Sequence, residues 1–215
     1  MEKFIQELGS LEEDLVTMGE LALDMLTDSV RAFQDRNVDL ALEVDSLKHE
    51  LDEWDRDIEE RCLILLTLHQ PMAKDMRNIA CILKTITYLN RVGRYGKDIA
   101  KDARAMADRP HLAKLVLIPQ MHELVCRMVR DCLRAYKADD VECIQDISER
   151  DDEVDALWDA VFRESLTYSM EDPHNLGPVI HYIMVSRHLE RCGDHACKIA
   201  EKVHYKVTGE HIELK

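Results

Sequence analysis

Apolar residues recur along most of the chain at alternating spacings of three and four, the pattern typical of amphipathic helices. This pattern predicts helices over Leu11–Phe33, Val38–Leu68 and Ala73–Met106. Pro71 separates the second helix from the third, because proline cannot continue a helix interior. Strand patterns have little support, so we predict an all-α fold.

The second half of the chain repeats this plan. We predict a helix over Leu112–Tyr136, in which Pro119 either kinks the helix or marks its true first turn. Another helix is predicted over Asp140–Tyr168. The residues of Asp172–Pro178 then break the chain before a last long helix that fades near Gly209.

Two of the predicted helices carry related sequences. Arg187–Val203 reads RHLERCGDHACKIAEKV, and Thr87–Ala103 reads TYLNRVGRYGKDIAKDA. Residues of the preceding helices also recur, 103 positions further along the chain. We therefore predict an internal duplication that forms two tandem three-helix bundles, a first repeat over residues 1–108 and a second over residues 109–215.

Glycines lie in or beside the apolar seam of both related helices, at Gly93, Gly96 and Gly193. A glycine in a helix interior costs up to about 1 kcal/mol relative to alanine. Its presence there indicates that close approach of a neighbouring helix is favoured over helix propensity.

Charge narrows the range of partners. The chain has 28 basic and 43 acidic residues and a net charge of −15, which repels nucleic acid and anionic membrane surfaces.

The seven cysteines form no CxxC pair, which is typical of reduced thiols in a cytoplasm. Met1–Leu8 is too charged for a leader, and no apolar run approaches the roughly 20 residues that span a bilayer. We therefore expect neither export nor membrane insertion.

Two pairs of carboxylates, each spaced by four residues, are the candidate ligands of a metal ion. Glu190 and Asp194 lie on one face of the last helix, outside its apolar seam, and Asp151 and Asp155 lie on the helix before it. If the pairs converge, four carboxylates repel one another unless a cation neutralises them. Hard oxygen ligands of this kind suit Mg, Mn, Fe or Zn.

A solvated helix face is the alternative interpretation. Arg187 and Arg191 can pair with the same carboxylates in surface salt bridges, each contributing about 0 to 1 kcal/mol. Histidines recur every seven residues beside the seam of the last helix, and we interpret them as structural or surface residues. Only His195, next to Asp194, is expected to reach the ion. The histidines are His174, His181, His188 and His195.

These residues resemble the PhoU family of phosphate-uptake regulators, and the resemblance covers nearly the whole chain. It rests on LERCGDHA at Leu189–Ala196, on the DxxxD of Asp151 and Asp155, and on the duplication. It implies paired three-helix bundles with surface E/DxxxD motifs that bind metal ions, here through Asp151, Asp155, Glu190 and Asp194. It also implies a negative regulator that acts through the ATPase subunit of a phosphate ABC importer and a membrane histidine kinase, with a homodimer as the expected assembly.

The first repeat departs from the family pattern, which usually has the acidic motif in both repeats. Lys48, Asp52, Asn90 and Arg94 stand at the four corresponding positions. Ammonium and guanidinium groups cannot coordinate a cation. We therefore predict one metal site, in the second repeat. The first site is either lost, or replaced by salt bridges of Lys48 and Arg94 with Asp52 and its neighbours.

Three other possibilities stay open. His49, Glu50 and Glu53 are close enough in sequence to build a different metal site in the first repeat. A carboxylate-bridged metal enzyme of the ferritin type requires an inward-facing ExxH pair on each of two helices, and the pair that we consider, Glu171–His174, lies at the Pro173 break. A dimeric scaffold that assembles without metal is the third possibility. We predict that the protein is not an enzyme, because no nucleophile or acid/base pair stands out.

Overall fold

The computed structural model describes residues 2–214, which form six α-helices and no strand. Two short 3-10 segments, Glu142–Ile144 and Pro173–Asn175, lie before the fifth and sixth helices. The all-α prediction is confirmed. The helices are α1 (Glu2–Asp35), α2 (Val38–His69), α3 (Ala73–Met106), α4 (Leu117–Ala138), α5 (Ile147–Glu171) and α6 (Leu176–Thr208).

The connections follow from local chemistry. The Asn37 side chain accepts a hydrogen bond of 3.1 Å from the Leu40 backbone N–H and so caps α2. Gln70 adopts a left-handed conformation and is followed by Pro71, so the chain leaves α2 as the sequence predicts. Pro119 is the third residue of α4 and lies in its first turn, which confirms the second of the two roles proposed for it.

Three predicted helix starts are wrong. α1 begins at Glu2, because the buried Phe4 and Leu8 continue its apolar stripe. α4 begins at Leu117 and not at Leu112. The helix predicted from Asp140 is a 3-10 segment followed by α5, because the Asp140 side chain accepts a hydrogen bond from the Glu142 N–H and favours a turn there.

Within each repeat the three helices pack on one another, and both predicted seams are buried. Gly96 allows a close approach in the first repeat, since a Cβ added to it would lie 3.0 Å from backbone atoms of Met25 and Leu26 on α1. The buried seam residues are Ile82, Thr85, Leu89, Val92, Gly96, Ile99 and Ala103 on α3, and Tyr182, Val185, Leu189, Cys192, Ala196, Ile199 and Val203 on α6.

The two repeats pack against each other mainly through α3 and α6. Tyr88 lies beside His195, and Asp102 lies beside His181, so these helices run antiparallel. The turn between α2 and α3 and the turn between α5 and α6 are therefore at opposite ends of the molecule. Buried residues from all six helices form one continuous core. The predicted repeat boundary at residues 108–109 falls in the connection between α3 and α4 and stays a prediction.

Two further observations concern the environment of the chain. Across residues 2–214, no helix combines the length and the apolar character needed to cross a membrane. All seven cysteines are free thiols, and six of them are buried.

Candidate functional site

The four predicted carboxylates lie where α5 packs against α6. Gly193 has no side chain, and a Cβ added to it would lie 2.9 Å from the Asp151 Oδ1 atom. Asp151 therefore sits directly against α6 and is only 3% exposed. Asp155, one turn further along α5, is close enough for its charge to raise the pKa of Glu190. The structure thus brings the two pairs of carboxylates to one interhelical groove.

Glu190 is less exposed than its predicted position on an outward face implies. Its side chain is only 12% exposed. The Oε1 atom accepts a hydrogen bond of 3.1 Å from the Arg187 Nη1 atom, whereas the Oε2 atom is buried and has no hydrogen-bond partner. The expected surface position is wrong for Glu190 and for Asp151. For Asp151 the reason is Gly193, which lets α5 pack directly against α6.

The partial burial of Glu190 and the carboxylates near it change its pKa. Burial raises the pKa of Glu190 above its ordinary value, and the charges of Asp194 and Asp155 raise it further. Arg187 and Arg191 oppose the shift without cancelling it. The protonated form of Glu190 is therefore favoured more than it would be for the same carboxyl in water.

Two arginines hold the carboxylates in place. Arg191 donates a hydrogen bond of 2.8 Å to the Asp194 Oδ2 atom, and its Nε atom lies 3.6 Å from the Glu190 Oε2 atom. The Arg187 guanidinium lies 5.5 Å from the centre of the Trp158 ring on α5. Sequence reasoning missed this role of Trp158, although its position three residues after Asp155 on the same helix face was the available signal.

The donor set fits a metal ion in kind. Carboxylate oxygens are the ligands of hard cations, and the buried Oε2 atom of Glu190 is an acceptor without a donor. Within residues 2–214, however, no three acidic, histidine or cysteine side chains are grouped closely enough to hold an ion. A bound ion would have to replace the Arg191 contacts.

In the first repeat the same positions form a different cluster. The Lys48 ammonium donates to the Asp52 carboxylate and, at 3.1 Å, to the Asn90 Oδ1 atom. The Asn90 amide in turn donates to Asp52 at 2.9 Å and to Asp55 at 3.2 Å. The Lys48 side chain is only 14% exposed. The Lys48 ammonium group thus supplies a positive charge in this groove, where a metal ion would otherwise be required.

The pKa of Asp52 responds to this cation. Burial disfavours the charged form, yet the hydrogen bonds from Lys48 and Asn90 hold the pKa below its ordinary value. The predicted salt bridge of Lys48 with Asp52 is confirmed, whereas that of Arg94 is wrong. Arg94 is mostly exposed and lies 4.0 Å from Asp98, one turn along its own helix. Asp55, which sequence reasoning missed, completes the cluster.

The alternative first-repeat site does not form a metal-binding group in the described residues 2–214. His49 and Glu53 form an exposed pair with 3.5 Å between the His49 Nδ1 and Glu53 Oε1 atoms. Glu50 is exposed beside them.

Three histidines of the stripe face α3 and not the carboxylates. His181 forms a hydrogen bond of 2.8 Å with Asp102, and His188 stacks on Tyr95. His195 stacks on Tyr95 and on Tyr88, and neither of its ring nitrogens has a hydrogen-bond partner. The expectation that His195 reaches the ion is therefore wrong, because its ring packs between the repeats.

The remaining histidine, cysteine and ExxH candidates are poorly suited to acid/base, nucleophilic or metal-binding roles. Burial, followed by the charge of Arg91, lowers the pKa of His195 to about 4, so this imidazole is neutral at physiological pH. Burial raises the pKa of the Cys62 thiol to about 12, which makes it a poor nucleophile. Glu171 and His174 are both exposed at the break between α5 and α6. Sequence reasoning missed a second ExxH pair, Glu201 and His204 on α6, in which Glu201 accepts hydrogen bonds from Lys198 and Lys202.

Comparison with known proteins identifies the sequence family that the chain resembles. The model of the PhoU domain matches it twice, over residues 15–103 and residues 118–203. These ranges cover most of the two predicted repeats.

Individual relatives and solved structures are similar over almost their whole length. The phosphate-specific transport system accessory protein PhoU homolog of Rhizobium meliloti is 38% identical over 97% of this chain and 89% of the relative. The crystal structure of PhoU from Pseudomonas aeruginosa has a TM-score of 0.92 and 32% identity, covering 96% of this chain and 100% of that one. The phosphate transport system regulatory protein PhoU from Streptococcus pneumoniae has a TM-score of 0.90 and 26% identity, covering 98% of this chain and 100% of that one.

Proposed function

Because the chain belongs to the PhoU family, we propose that it is an accessory protein of a phosphate transport system and a negative regulator of phosphate uptake and phosphate signalling. The PhoU family is a family of transport accessory proteins and not of enzymes. The observation that carries the proposal is the match of both repeats, over nearly the full length of relatives that are named phosphate-specific transport system accessory proteins.

The proposed action is binding in the cytoplasm to the ATPase subunit of a phosphate ABC importer, with a membrane histidine kinase as a second partner. The acidic surface supports a protein partner with complementary charge, since the chain carries a net charge of −15. A homodimer is the proposed assembly.

The groove between α5 and α6 is the proposed centre of this interaction. Asp151, Asp155, Glu190 and Asp194 would hold a divalent metal or iron ion there. The ion would supply positive charge that neutralises the carboxylates and shapes the contact with the partner. Burial and the charges of Asp194 and Asp155, which raise the pKa of Glu190, support this assignment together with the Oε2 atom of Glu190, which accepts no hydrogen bond.

Phosphate transport in cells that lack their own copy of the gene tests the function. The wild-type chain is expected to restore low uptake of radiolabelled phosphate in phosphate-rich medium, and to retain the tagged importer ATPase during purification. The double variant Glu190→Gln, Asp194→Asn is expected to lose both effects. Glu60→Gln, at an exposed carboxylate on α2, is the matched control and should behave as wild type.

Two results would contradict the proposal. High uptake in cells that express the folded wild-type chain would exclude a negative regulator. Equal retention of the ATPase by the wild type and by the double variant would exclude the carboxylate groove as the centre of the interaction.

A further inference from the structure

Residues 210–214 form an extended segment, here called the strap, that folds back along α6. Gly209 ends the helix in a left-handed conformation, with a φ of 80°, and so reverses the direction of the chain. Exposed and half-buried residues then alternate along the strap, which is the pattern of an extended backbone beside a protein surface. Ile212 and Leu214 are the half-buried residues, so their side chains face the protein.

Two side chains of α6 bind the backbone of Leu214. Its N–H donates a hydrogen bond of 3.1 Å to the Glu201 Oε1 atom, and its carbonyl oxygen accepts one of 3.2 Å from the Lys198 Nζ atom. The same two side chains bond each other, with 2.7 Å between the Lys198 Nζ and Glu201 Oε1 atoms. One residue of the strap is thus bound through both of its main-chain polar groups, as in proteins that recognise extended peptides.

Glu201 belongs to the body of the protein and is ready to accept a backbone N–H. It is only 6% exposed, and its Oε2 atom accepts a hydrogen bond of 3.3 Å from Lys202. Burial disfavours its charged form, yet the hydrogen bonds from Lys198 and from the Leu214 N–H hold the pKa of Glu201 below its ordinary value. An ionised and largely buried acceptor therefore lies at this point of α6.

The groove that receives the two apolar side chains of the strap, here called the strap groove, is only partly filled. An open cavity of about 230 Å³ lies beside Ile212 and Leu214. The protein side of this cavity includes the buried Ile144 and Ala200. Larger apolar side chains would therefore find room in the strap groove. Its other lining residues are Val141, Gln145 and His204.

The rest of the strap is held by contacts that are open to water. The Glu210 carbonyl oxygen accepts a hydrogen bond of 3.2 Å from the His204 Nδ1 atom, and the exposed His211 ring stacks on Tyr205 with 4.0 Å between ring centres. Water competes for contacts of this kind, so each adds little stability. The strap is therefore held mainly by two apolar side chains and the two backbone hydrogen bonds of Leu214.

We propose that the strap groove binds an extended segment of a partner protein, and that the strap occupies it as an internal competitor. The partner segment has two apolar residues separated by one residue, as Ile212 and Leu214 are, and presents the backbone of the second to Lys198 and Glu201. This inference goes beyond the proposed function and requires neither the importer nor a metal ion.

Competition with the strap determines what the partner segment must provide. A short tether gives the strap an effective concentration on the order of millimolar. A partner segment displaces it by burying more apolar area, for which the cavity beside Ile212 and Leu214 has room. The partner therefore carries larger apolar residues at these two positions.

Fluorescence anisotropy with a labelled peptide of residues 208–214 tests the proposal. The variant Ile212→Asp, Leu214→Asp releases the strap, because aspartate carboxylates cannot occupy an apolar groove beside Glu201. This released variant should bind the peptide saturably. The wild type should bind it at least about 10-fold more weakly, because its own strap competes. A peptide with the same two aspartates is the control and should not bind.

Two lysine substitutions in the released variant locate the binding site. Lys198→Met is expected to weaken peptide binding by about 10-fold, because the peptide carbonyl loses its charged donor. Lys202→Met is the matched control, since Lys202 bonds the opposite oxygen of Glu201, and should change binding by less than about 2-fold. Circular dichroism and urea unfolding check that each variant is folded.

Displacement of the strap in the intact wild type is the second measurement. A peptide of residues 208–214 with phenylalanine at both apolar positions should bind the wild type about 5-fold or more tightly than the parent peptide, because it fills the cavity. Equal or weaker binding would contradict competition by a partner with larger residues.

Other results would also overturn the proposal. They are the absence of peptide binding by the folded released variant, equal binding by the wild type and the released variant, or equal losses in the two lysine variants. A wild-type dimer that the released variant cannot form in sedimentation would assign the strap groove to the strap of a second copy, and not to a different partner.

Discussion

Lys48 occupies the position in the first repeat that Asp151 holds in the second. Its ammonium contacts Asp52 and Asn90 and is largely enclosed, so the groove contains a fixed positive charge. A carboxylate beside such a charge ionises more readily, which agrees with the lowered pKa of Asp52. At the scale of single residues, the two grooves therefore differ at this position, where the first repeat has an ammonium group and the second has a carboxylate.

Replacing this lysine changes how stability depends on pH. The pKa of Asp52 is lower in the folded than in the unfolded state, so its ionisation stabilises the fold above the unfolded value of 3.8, and this contribution is lost as pH falls through the folded pKa. Lys48→Met should lower the free energy of unfolding by about 1 kcal/mol at pH 7. The difference should narrow below pH 3.8.

Urea unfolding at a series of pH values measures this effect. Lys84→Met, at an exposed position on α3, is the control and should leave the curve unchanged. A deficit that is constant from pH 7 to pH 3 would show that Lys48 acts through packing and not through the charge of Asp52.

His195 packs between Tyr88 and Tyr95 with two buried nitrogens that have no partner. An unsatisfied buried polar group is destabilising, so His195→Phe should retain the stacking and raise the free energy of unfolding by about 1 kcal/mol. His181→Phe is the contrasting variant, since it removes a hydrogen bond to the largely buried Asp102 and should lower stability by about 1 to 3 kcal/mol. Chemical denaturation of both variants measures their free energies of unfolding, and a loss of stability in His195→Phe would contradict the account.

Close packing determines which glycines matter at the scale of helices. Gly96 faces backbone atoms of α1, whereas no atom of a packed neighbour lies within 4 Å of a Cβ added to Gly9. Gly96→Ala should lower stability by about 1 to 3 kcal/mol, despite the better helix propensity of alanine. Gly9→Ala should raise it by about 0.5 to 1 kcal/mol. Thermal unfolding of both variants measures the contrast, and equal effects would show that propensity alone governs both positions.

Helix positions were largely predictable from sequence, since α3 begins and ends at the expected residues. The exceptions have identifiable causes. Phe4 and Leu8 extend α1 through long-range packing, and the turn at Asp140 depends on a hydrogen bond that the apolar pattern does not contain. Periodicity records which residues are apolar, and not how far their contacts extend.

The candidate site was predictable in its residues but not in its environment. The spacing of four placed Asp151, Asp155, Glu190 and Asp194 on two helix faces. The burial of Asp151 depends on the close approach of α5 to α6 at Gly193, which helix periodicity does not reveal. For the same reason, the direction of the His195 ring could not be predicted before the α3–α6 contact was known.

The whole molecule is an antiparallel pair of similar repeats in which one groove contains Lys48 and the other contains four carboxylates. If the difference between the grooves lies only in these side chains, restoring the acidic pattern should create a second metal site. Lys48→Asp, Asn90→Glu, Arg94→Asp makes the first repeat match the second at these positions. Equilibrium dialysis should then find about one additional bound ion per chain. Unchanged binding by the folded triple variant would mean that other features of α2 and α3 prevent coordination.

Elemental analysis of the purified chain, after removal of loosely held ions, tests the central claim most directly. The account predicts about one equivalent of a divalent metal or iron in the wild type, because only the second repeat offers a full set of oxygen ligands. Glu190→Gln with Asp194→Asn should lose that metal and remain folded. Wild-type protein without metal, or variants that retain as much metal as the wild type, would contradict the claim that these carboxylates form a metal centre.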